Sequence, residues 1–224
     1  MKIAIIITGD VRDCFVKNII SSIFQKCDIY VGSYIKHQKY INEFCKKERQ
    51  FLIDENKDIK PPDGIIKENM QQNMLQWLHL DNIINKYESE LKNYDVVLKY
   101  RFDYFIKDNF FLNKISVKSN ILYNDSDKVF YADSLTFINI FKNYYNNLKN
   151  FTYHKNRDIN DDRFETSWRS EPALQMYLKH CNIISKDLQY LPGKIIRGNY
   201  NKVLADGNKK LYKNSQLYGK FTKI

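Results

Sequence analysis

The 224-residue sequence lacks the short motifs that mark several common protein classes. It contains no CxxC pair, so its four cysteines predict neither a zinc site nor a redox pair. It also has no GxGxxG and no GxxxxGK(S/T) motif, which argues against dinucleotide-dependent oxidoreductases and P-loop kinases. The four histidines form no HExxH pattern, and we interpret them as surface or packing residues.

Long apolar runs are absent as well. The longest, residues 3–7, is far too short to cross a bilayer, and no apolar segment with a small-residue cleavage site follows the charged Lys2. Hydrophobic residues make up 43% of the chain and aromatic residues 15%, which excludes a disordered protein. We therefore expect a soluble, cytoplasmic protein with a single domain over residues 1–224, in which residues 191–224 form a looser basic segment.

The chain is basic, with a formal net charge of +10, which favours an anionic partner. The cations comprise 29 lysines and only 7 arginines, and the lysines are spread along the whole chain. Proteins that read nucleic-acid bases depend strongly on arginine, so we expect no nucleic acid partner. A basic nucleic-acid-binding module remains the alternative from another class, and a peripheral membrane contact through the basic surface stays open.

The order of apolar segments predicts an α/β fold. Residues 2–10 form a β-branched run that ends at a turn, Asp13 can cap a following helix, and residues 27–33 form a second short strand. This succession is a βαβ unit, which builds parallel sheets. Further strands are expected over 50–54, 94–106, 119–123 and 128–131, and helices over 37–50, 68–91, 134–149 and 171–181. The pattern predicts a central, mostly parallel mixed sheet flanked by helices.

The expected strand over residues 94–106 carries the strongest functional signal. Because side chains alternate between the two faces of a strand, Lys99, Arg101 and Asp103 share one face. Unpaired charges are costly to bury, and these three lie toward the end of the strand where open α/β sheets bind ligands. They indicate a ligand site; the alternative is an Arg101–Asp103 ion pair on a solvated face.

A hydrophobic strand that ends in a short acidic motif, after an N-terminal βαβ unit, resembles the GT-A glycosyltransferases. In that family the motif is usually Asp-x-Asp, and it holds a divalent metal on the diphosphate of the donor. The surrounding sequence is similar to a bacterial and viral group of small polysaccharide-building transferases that includes the WavE-like proteins. The resemblance covers most of residues 1–185 and uses four motifs in order: Gly9-Asp10-Val11-Arg12, Arg101-Phe102-Asp103, Ala132-Asp133-Ser134 and Ser170-Glu171-Pro172.

The resemblance implies a GT-A-like (Rossmann-like) enzyme that depends on a nucleotide sugar. The donor would be a nucleotide-diphosphate sugar, and the acceptor a hydroxyl of a glycan or a lipid-linked molecule in surface polysaccharide synthesis. It further implies that Thr8, Gly9, Asp10 and Arg12 line the nucleotide pocket. The alternative for this segment is a tight turn with Arg12 paired to a surface acid. A catalytically inactive relative that only binds a partner is a further alternative.

This sequence departs from the family motif, because Arg101 stands where the first aspartate is usual. Asp103 alone could then bind the metal, with Mn²⁺ or Mg²⁺ completing its coordination from phosphate oxygens and water. Alternatively, Arg101 and Lys99 neutralise the diphosphate without a metal. We favour the metal at Asp103.

An inverting transferase needs a carboxylate that accepts the proton of the acceptor hydroxyl. We place Glu171 first and Asp133 second as candidates for this catalytic base. Each also has a structural alternative, since Asp133 precedes a helix that it could cap and Glu171 lies in a first helical turn, where an acid favours the helix dipole. A retaining mechanism would not need this base, and both outcomes stay open.

Overall fold

In the computed structural model of the protein, the described residues are 1–11, 27–55, 57, 59–60, 72–102, 104–106, 110–125, 128–152, 170–188 and 193–195. The strands are β1 (Ile3–Thr8), β2 (Asp28–Tyr34), β3 (Gln50–Ile53), β4 (Val96–Arg101), β5 (Tyr104–Ile106), β6 (Ile121–Asp125), β7 (Val129–Asp133), β8 (Ile184–Asp187) and β9 (Gly193–Ile195). The helices are α1 (Gln38–Ile41), α2 (Gln72–Leu91), α3 (Ser134–Phe141), α4 (Tyr144–Thr152) and α5 (Ser170–His180). Over these ranges, no helix combines the length and the apolar character needed to span a bilayer.

Seven strands form one mixed sheet in the order β3-β2-β1-β4-β7-β6-β8. Strands β3, β2, β1 and β4 are parallel to one another, and β8 is parallel to β6. Strand β7 runs antiparallel to both of its neighbours, β4 and β6. The expected α/β fold with a mostly parallel mixed sheet and flanking helices is therefore confirmed.

Strand β1 lies at the centre of the parallel part, and all six of its residues are buried. Its alternate side chains enter two separate cores, as expected for a strand covered on both faces. Ile3, Ile5 and Ile7 face one core, and Ala4 and Ile6 face the other. The β-branched composition that predicted a fully buried strand thus matches the observed burial.

The core on the Ala4 side lies beneath a layer of helices. Trp77 of α2 is 1% exposed and stacks on Phe130 and Phe141, with ring centroids 5.8 and 6.0 Å away. These contacts hold α2 against β7 and α3. Aromatic side chains bury the largest apolar areas, so this stack is a major stabilising contact of the helix layer.

Helix α2 runs antiparallel to β4, because the short segment 92–95 joins its last residue to the start of β4. Helix α5 has the same relation to β8, to which residues 181–183 connect it. The N-terminal ends of α2 and α5 therefore lie toward the edge of the sheet at which β1, β2, β3 and β4 end. We call this edge the carboxyl edge.

Three sequence-based expectations were wrong in extent. The helix expected over 134–149 divides into α3 and α4, because Asn143 between them has a φ of +66°. The helix expected over 37–50 is limited to α1 and short 3-10 turns; Cys45 is buried, and its carbonyl accepts a 2.8 Å hydrogen bond from the Gln50 side chain, which satisfies it outside a helix. The strand expected over 94–106 divides after Arg101 into β4 and β5, and β5 pairs with β9 in a separate sheet. Strands β8 and β9 were not expected, and the helix expected after Asp13 lies outside the described residues.

The packing of α2 on β2 requires a glycine at position 32. A Cβ at Gly32 would lie 2.7 Å from the carbonyl oxygen of His79 and 3.0 Å from its Cβ. Because backbone blocks this space, we expect Gly32→Ala to lower the free energy of unfolding by about 1–3 kcal/mol, measured by urea denaturation. Ser119→Ala, a change at an exposed site, is the control and should stay within about 0.5 kcal/mol of the wild type. If Gly32→Ala leaves the free energy of unfolding unchanged, the packing of α2 on β2 does not depend on this close approach.

Candidate functional site

The order in which the chain adds parallel strands to the sheet reverses at β1. From β1 the chain builds β2 and β3 on one side and then returns to place β4 on the other side. Thr8, the last residue of β1, is in register with Gly32 of β2 and Arg101 of β4. In open α/β sheets, ligands bind in the crevice outside the carboxyl ends of the strands at such a switch point. The candidate site is this part of the carboxyl edge.

Gly9 fixes how the chain leaves β1. Its φ of +115° lies in a region that side chains other than glycine rarely adopt. Its amide donates to the Gly32 carbonyl at 3.1 Å, and its carbonyl accepts from Ser33 Oγ at 2.7 Å. The turn after β1 is therefore fastened to β2, which sets the position of Asp10.

Asp10 joins a charged network at the carboxyl edge. Its carboxylate contacts the Nε2 atom of His37 and lies 3.9 Å from the Nζ atom of Lys36. Lys36 in turn forms a 2.5 Å ion pair with Glu55, and this hydrogen bond raises the pKa of the lysine. The side chain of Asp10 is 44% exposed, so one carboxylate is held in place and remains accessible to a ligand.

Buried polar atoms without partners lie beneath this network. Thr8 is 1% exposed and His79 is fully buried, and within the described part of the chain neither Thr8 Oγ1 nor either ring nitrogen of His79 has a hydrogen-bond partner. The His79 ring lies edge-on to Tyr34, with centroids 4.8 Å apart. Leaving a buried polar group unsatisfied costs about 1–3 kcal/mol, and native proteins contain few of them. The arrangement suits a polar group of a ligand or a water molecule.

Lys99 shares a face with Arg101, as the alternation predicts, but α2 covers that face at Lys99. The lysine is fully buried, and its Nζ donates to Gln76 Oε1 at 2.9 Å. Nζ also lies 5.1 Å from the Phe130 ring centroid and 5.5 Å from that of Trp77. A neutral amide and two aromatic faces are therefore among the contacts of this cation. Its predicted role at the diphosphate stays a prediction, and contact with a ligand would require Lys99 to leave this position.

The remaining predicted residues divide between the described and undescribed parts of the chain. Arg12 and Asp103 lie outside the described residues. Glu171 lies in the first turn of α5, and this end of the helix points toward the carboxyl edge. Its predicted role as base stays a prediction.

Asp133 lies at the opposite edge of the sheet. It is in register with Val96, five residues before Arg101 on β4, which corresponds to roughly 16 Å along the strand. Its Oδ1 atom accepts a 3.0 Å hydrogen bond from the Thr136 amide and caps α3. Of the two interpretations of Asp133, the structure thus shows the helix cap, and it does not bring this carboxylate to the other predicted residues.

The described residues of the carboxyl edge do not form a set of metal ligands. Across the described ranges, no three His, Cys, Asp or Glu side chains come together in a way that could hold a metal ion. Asp10 already contacts His37 and Lys36. Mn²⁺ and Mg²⁺ favour several oxygen ligands, so a metal at this edge would depend on Asp103 and on the phosphates of a ligand. The predicted metal at Asp103 stays a prediction.

Sequence reasoning missed several residues at this edge. His37 and His79 were interpreted as surface or packing residues because they belong to no motif, and Lys36 was not considered. His37 and Lys36 follow the end of β2 directly, so the rule that neighbouring parallel strands end at one edge could have found them. His79 had no comparable signal, because its position depends on how α2 crosses β2.

This chain is similar to known proteins in structure and not in sequence. No protein-family model matches the sequence, and no curated protein matches it either. A protein from Desulfovibrio desulfuricans, described as a nucleotide-diphospho-sugar transferase, aligns over 100% of this chain and 95% of its own with a TM-score of 0.45 and 8% identity. The glycosyltransferase GlyE of Streptococcus pneumoniae aligns over 97% of this chain with a TM-score of 0.47 and 14% identity. The bifunctional glycosyltransferase WbbM aligns over 91% with a TM-score of 0.42 and 10% identity.

This chain spans 51% of the aligned GlyE chain and 44% of the WbbM chain. At these scores and identities the likeness does not define the function of this chain, which has to rest on its own residues. Those residues define an α/β protein with a charged cluster at the switch point of its sheet.

The cap on α3 gives a prediction for Asp133. We expect Asp133→Ala to lower the free energy of unfolding by about 0.5–2 kcal/mol, because the Thr136 amide loses its acceptor. Asp133→Ser keeps a capping oxygen and should stay closer to the wild type. Urea denaturation of both variants checks this. If both variants lose the same free energy of unfolding, the hydrogen bond between the Thr136 amide and Asp133 is not the stabilising contact.

The burial of His79 predicts a pH dependence of stability. Desolvation lowers the pKa of His79 from 6.5 to about 3, so between these values the unfolded chain binds more protons than the folded one. His79 therefore makes the protein less stable as the pH falls through this window. We expect His79→Gln to lose less stability than the wild type on acidification, measured by urea denaturation at several pH values. The same substitution at the exposed His180 is the matched control, and parallel profiles for His79→Gln and the wild type would contradict the prediction.

Proposed function

We propose that this chain is a glycosyltransferase that transfers a sugar from a nucleotide-diphosphate donor to a hydroxyl acceptor. The observation that carries the proposal is the alignment of Thr8 with Arg101 at the switch point of the sheet. The unpartnered Thr8 Oγ1 and the accessible carboxylate of Asp10 adjoin it. A hydroxyl, a carboxylate and a guanidinium together suit a ligand that carries both sugar hydroxyls and phosphates.

On the donor side, we assign the phosphates to Arg101. A guanidinium can donate two parallel hydrogen bonds to phosphate oxygens and does not lose its charge. The N-terminal end of α2 points toward the same edge, and its dipole favours negative charge there. As the bond between the sugar and the diphosphate breaks, these groups would stabilise the charge that develops on the leaving group. Stabilisation of this kind usually contributes more to catalysis than any other single effect.

Asp10 and Thr8 would bind the nucleoside part of the donor. His37 and Lys36 hold the Asp10 carboxylate in position, and its exposure lets it accept a hydrogen bond from a hydroxyl. Gly9 belongs to this part because its backbone positions Asp10. Arg12, three residues further on from Gly9, is proposed to belong to the same pocket.

On the acceptor side, we propose Glu171 as the base of an inverting reaction. Asp133 is left out because it caps α3 at the opposite edge. The acceptor would be a hydroxyl of a glycan or of a lipid-linked molecule. Asp103 would hold Mn²⁺ or Mg²⁺ if a metal takes part, and the ion would supply positive charge to the diphosphate. The donor contacts proposed for Thr8, Asp10 and Arg101 do not depend on a metal.

Binding of the donor tests the proposal with two variants. A panel of nucleotide sugars, with and without Mn²⁺, should contain one compound that stabilises the protein by about 2.7 kcal/mol at a hundred times its dissociation constant. Thr8→Val removes an unpartnered hydroxyl, so we expect unchanged or higher stability but roughly fivefold weaker donor binding. Arg101→Met should weaken binding by about tenfold or more, because a charged hydrogen bond is lost.

The controls separate a glycosyltransferase from the alternative functions. Lys118→Gln, on the exposed surface, should leave donor binding unchanged. With an identified donor and an acceptor, an enzyme should release the nucleoside diphosphate and a binding protein should not. Asp103→Ala should abolish this turnover where the turnover requires Mn²⁺ or Mg²⁺. If random oligonucleotides stabilise the protein and no nucleotide sugar does, the proposal is contradicted and a nucleic-acid-binding module is favoured.

A further inference from the structure

A concave surface lies beside β3, next to the segment that carries Lys36 and His37 of the candidate site. It is a cleft of about 390 Å³ whose lining includes Ile35, Gln38, Lys47, Phe51, Leu52 and Lys86. Strand β3 is the last strand on this side of the seven-stranded sheet, two strands from β1. None of the residues proposed to bind the donor lines this cleft.

Two lysines supply the charge of the cleft. Among the described residues, neither Lys47 nor Lys86 has an acidic partner, and both are exposed. The ammonium group of Lys86 is held in place, since it donates to the Gln50 carbonyl at 3.2 Å and lies 4.9 Å from the Tyr87 ring centroid. A positioned ammonium with further hydrogens to donate is suited to an anionic oxygen.

The rest of the lining presents apolar surface and one exposed amide group. Ile35 is 49% exposed, and Phe51 and Leu52 are half-buried, so they present apolar surface to the cleft. Gln38 also lines it and is exposed, and an amide side chain can donate and accept hydrogen bonds at once. Gln50, which lines it too, is buried and already donates to the Cys45 carbonyl and to Asn42 Oδ1. Sugar hydroxyls require such paired donors and acceptors, and the C–H faces of a sugar ring require apolar surface.

We propose that this cleft is an accessory binding site for a saccharide that carries a negative charge. The lysines would bind a carboxylate or a phosphate, the Gln38 amide would bind hydroxyls, and the apolar side chains would contact the ring. Charge complementarity and the concave shape favour a saccharide over a flat lipid surface. The site binds without turnover, so the proposal is independent of the transfer reaction.

The experiment measures binding of defined saccharides to the full chain by isothermal titration calorimetry. Trigalacturonate supplies carboxylates, glucose 1-phosphate supplies a phosphate, and maltotriose is the neutral control. We expect the first, the second or both to bind and the neutral saccharide not to bind. Which of the two anions binds more tightly identifies the charged group that the cleft accepts.

Three matched lysine variants locate the binding. Lys47→Gln and Lys86→Gln should each weaken binding by about tenfold, because a hydrogen bond to a charged group is lost. In Lys86→Gln the Gln50 carbonyl keeps the hydroxyl of Tyr87 as a donor at 2.9 Å, so we expect the fold to persist. Lys118→Gln removes the same charge elsewhere and should have no effect.

Two further measurements distinguish a saccharide in this cleft from a ligand at the donor site and from an acidic protein. Thr8→Val, which tests the donor site, should leave saccharide binding unchanged. A hexaglutamate peptide represents an acidic protein partner, and tighter binding of this peptide than of either charged saccharide would overturn the proposal. Absence of binding by both charged saccharides, or equal binding by the wild type and the two cleft variants, would overturn it as well.

Discussion

The close contact between α2 and Gly32 is the constraint on which the rest of the structure depends. It brings a helix backbone against β2 at a distance that no side chain larger than hydrogen allows. The same contact covers the Ala4 side of the sheet, encloses Lys99 and buries His79 beneath the end of β1. One packing requirement therefore determines both the helix layer and the floor of the candidate site.

The sequence predicted most of the sheet for a physical reason. A strand covered on both faces is apolar along its whole length, and residues 3–7 and 96–98 show this directly. The two edges of the sheet were harder to predict. Strand β8 has mostly exposed side chains, and β9 is three residues long, so neither carries the apolar pattern that identifies a buried strand. The break between β4 and β5 could not be predicted, because aromatic residues typical of strands occur on both sides of it.

The sequence could predict those residues of the candidate site that lie at the ends of strands. It could not predict the residues whose positions depend on how a helix packs on the sheet. Thr8, Gly9, Asp10 and Arg101 come together because parallel strands end at one edge. The burial of Lys99 depends on where α2 crosses β4, and alternation along a strand does not reveal which face a helix covers. Asp133 precedes its helix in the sequence whether it acts as a cap or as a base, and only the antiparallel direction of β7 places it at the far edge.

The pairing of β5 with β9 links the region just beyond β4 to a segment near the other end of the chain. Contacts between residues far apart in sequence form late, because the loop between them must close first. During synthesis, β5 cannot find its partner until residues 193–195 have emerged from the ribosome. Maturation of the neighbourhood of the site would thus wait until residues 193–195 are available, while the parallel strands that precede them can already associate.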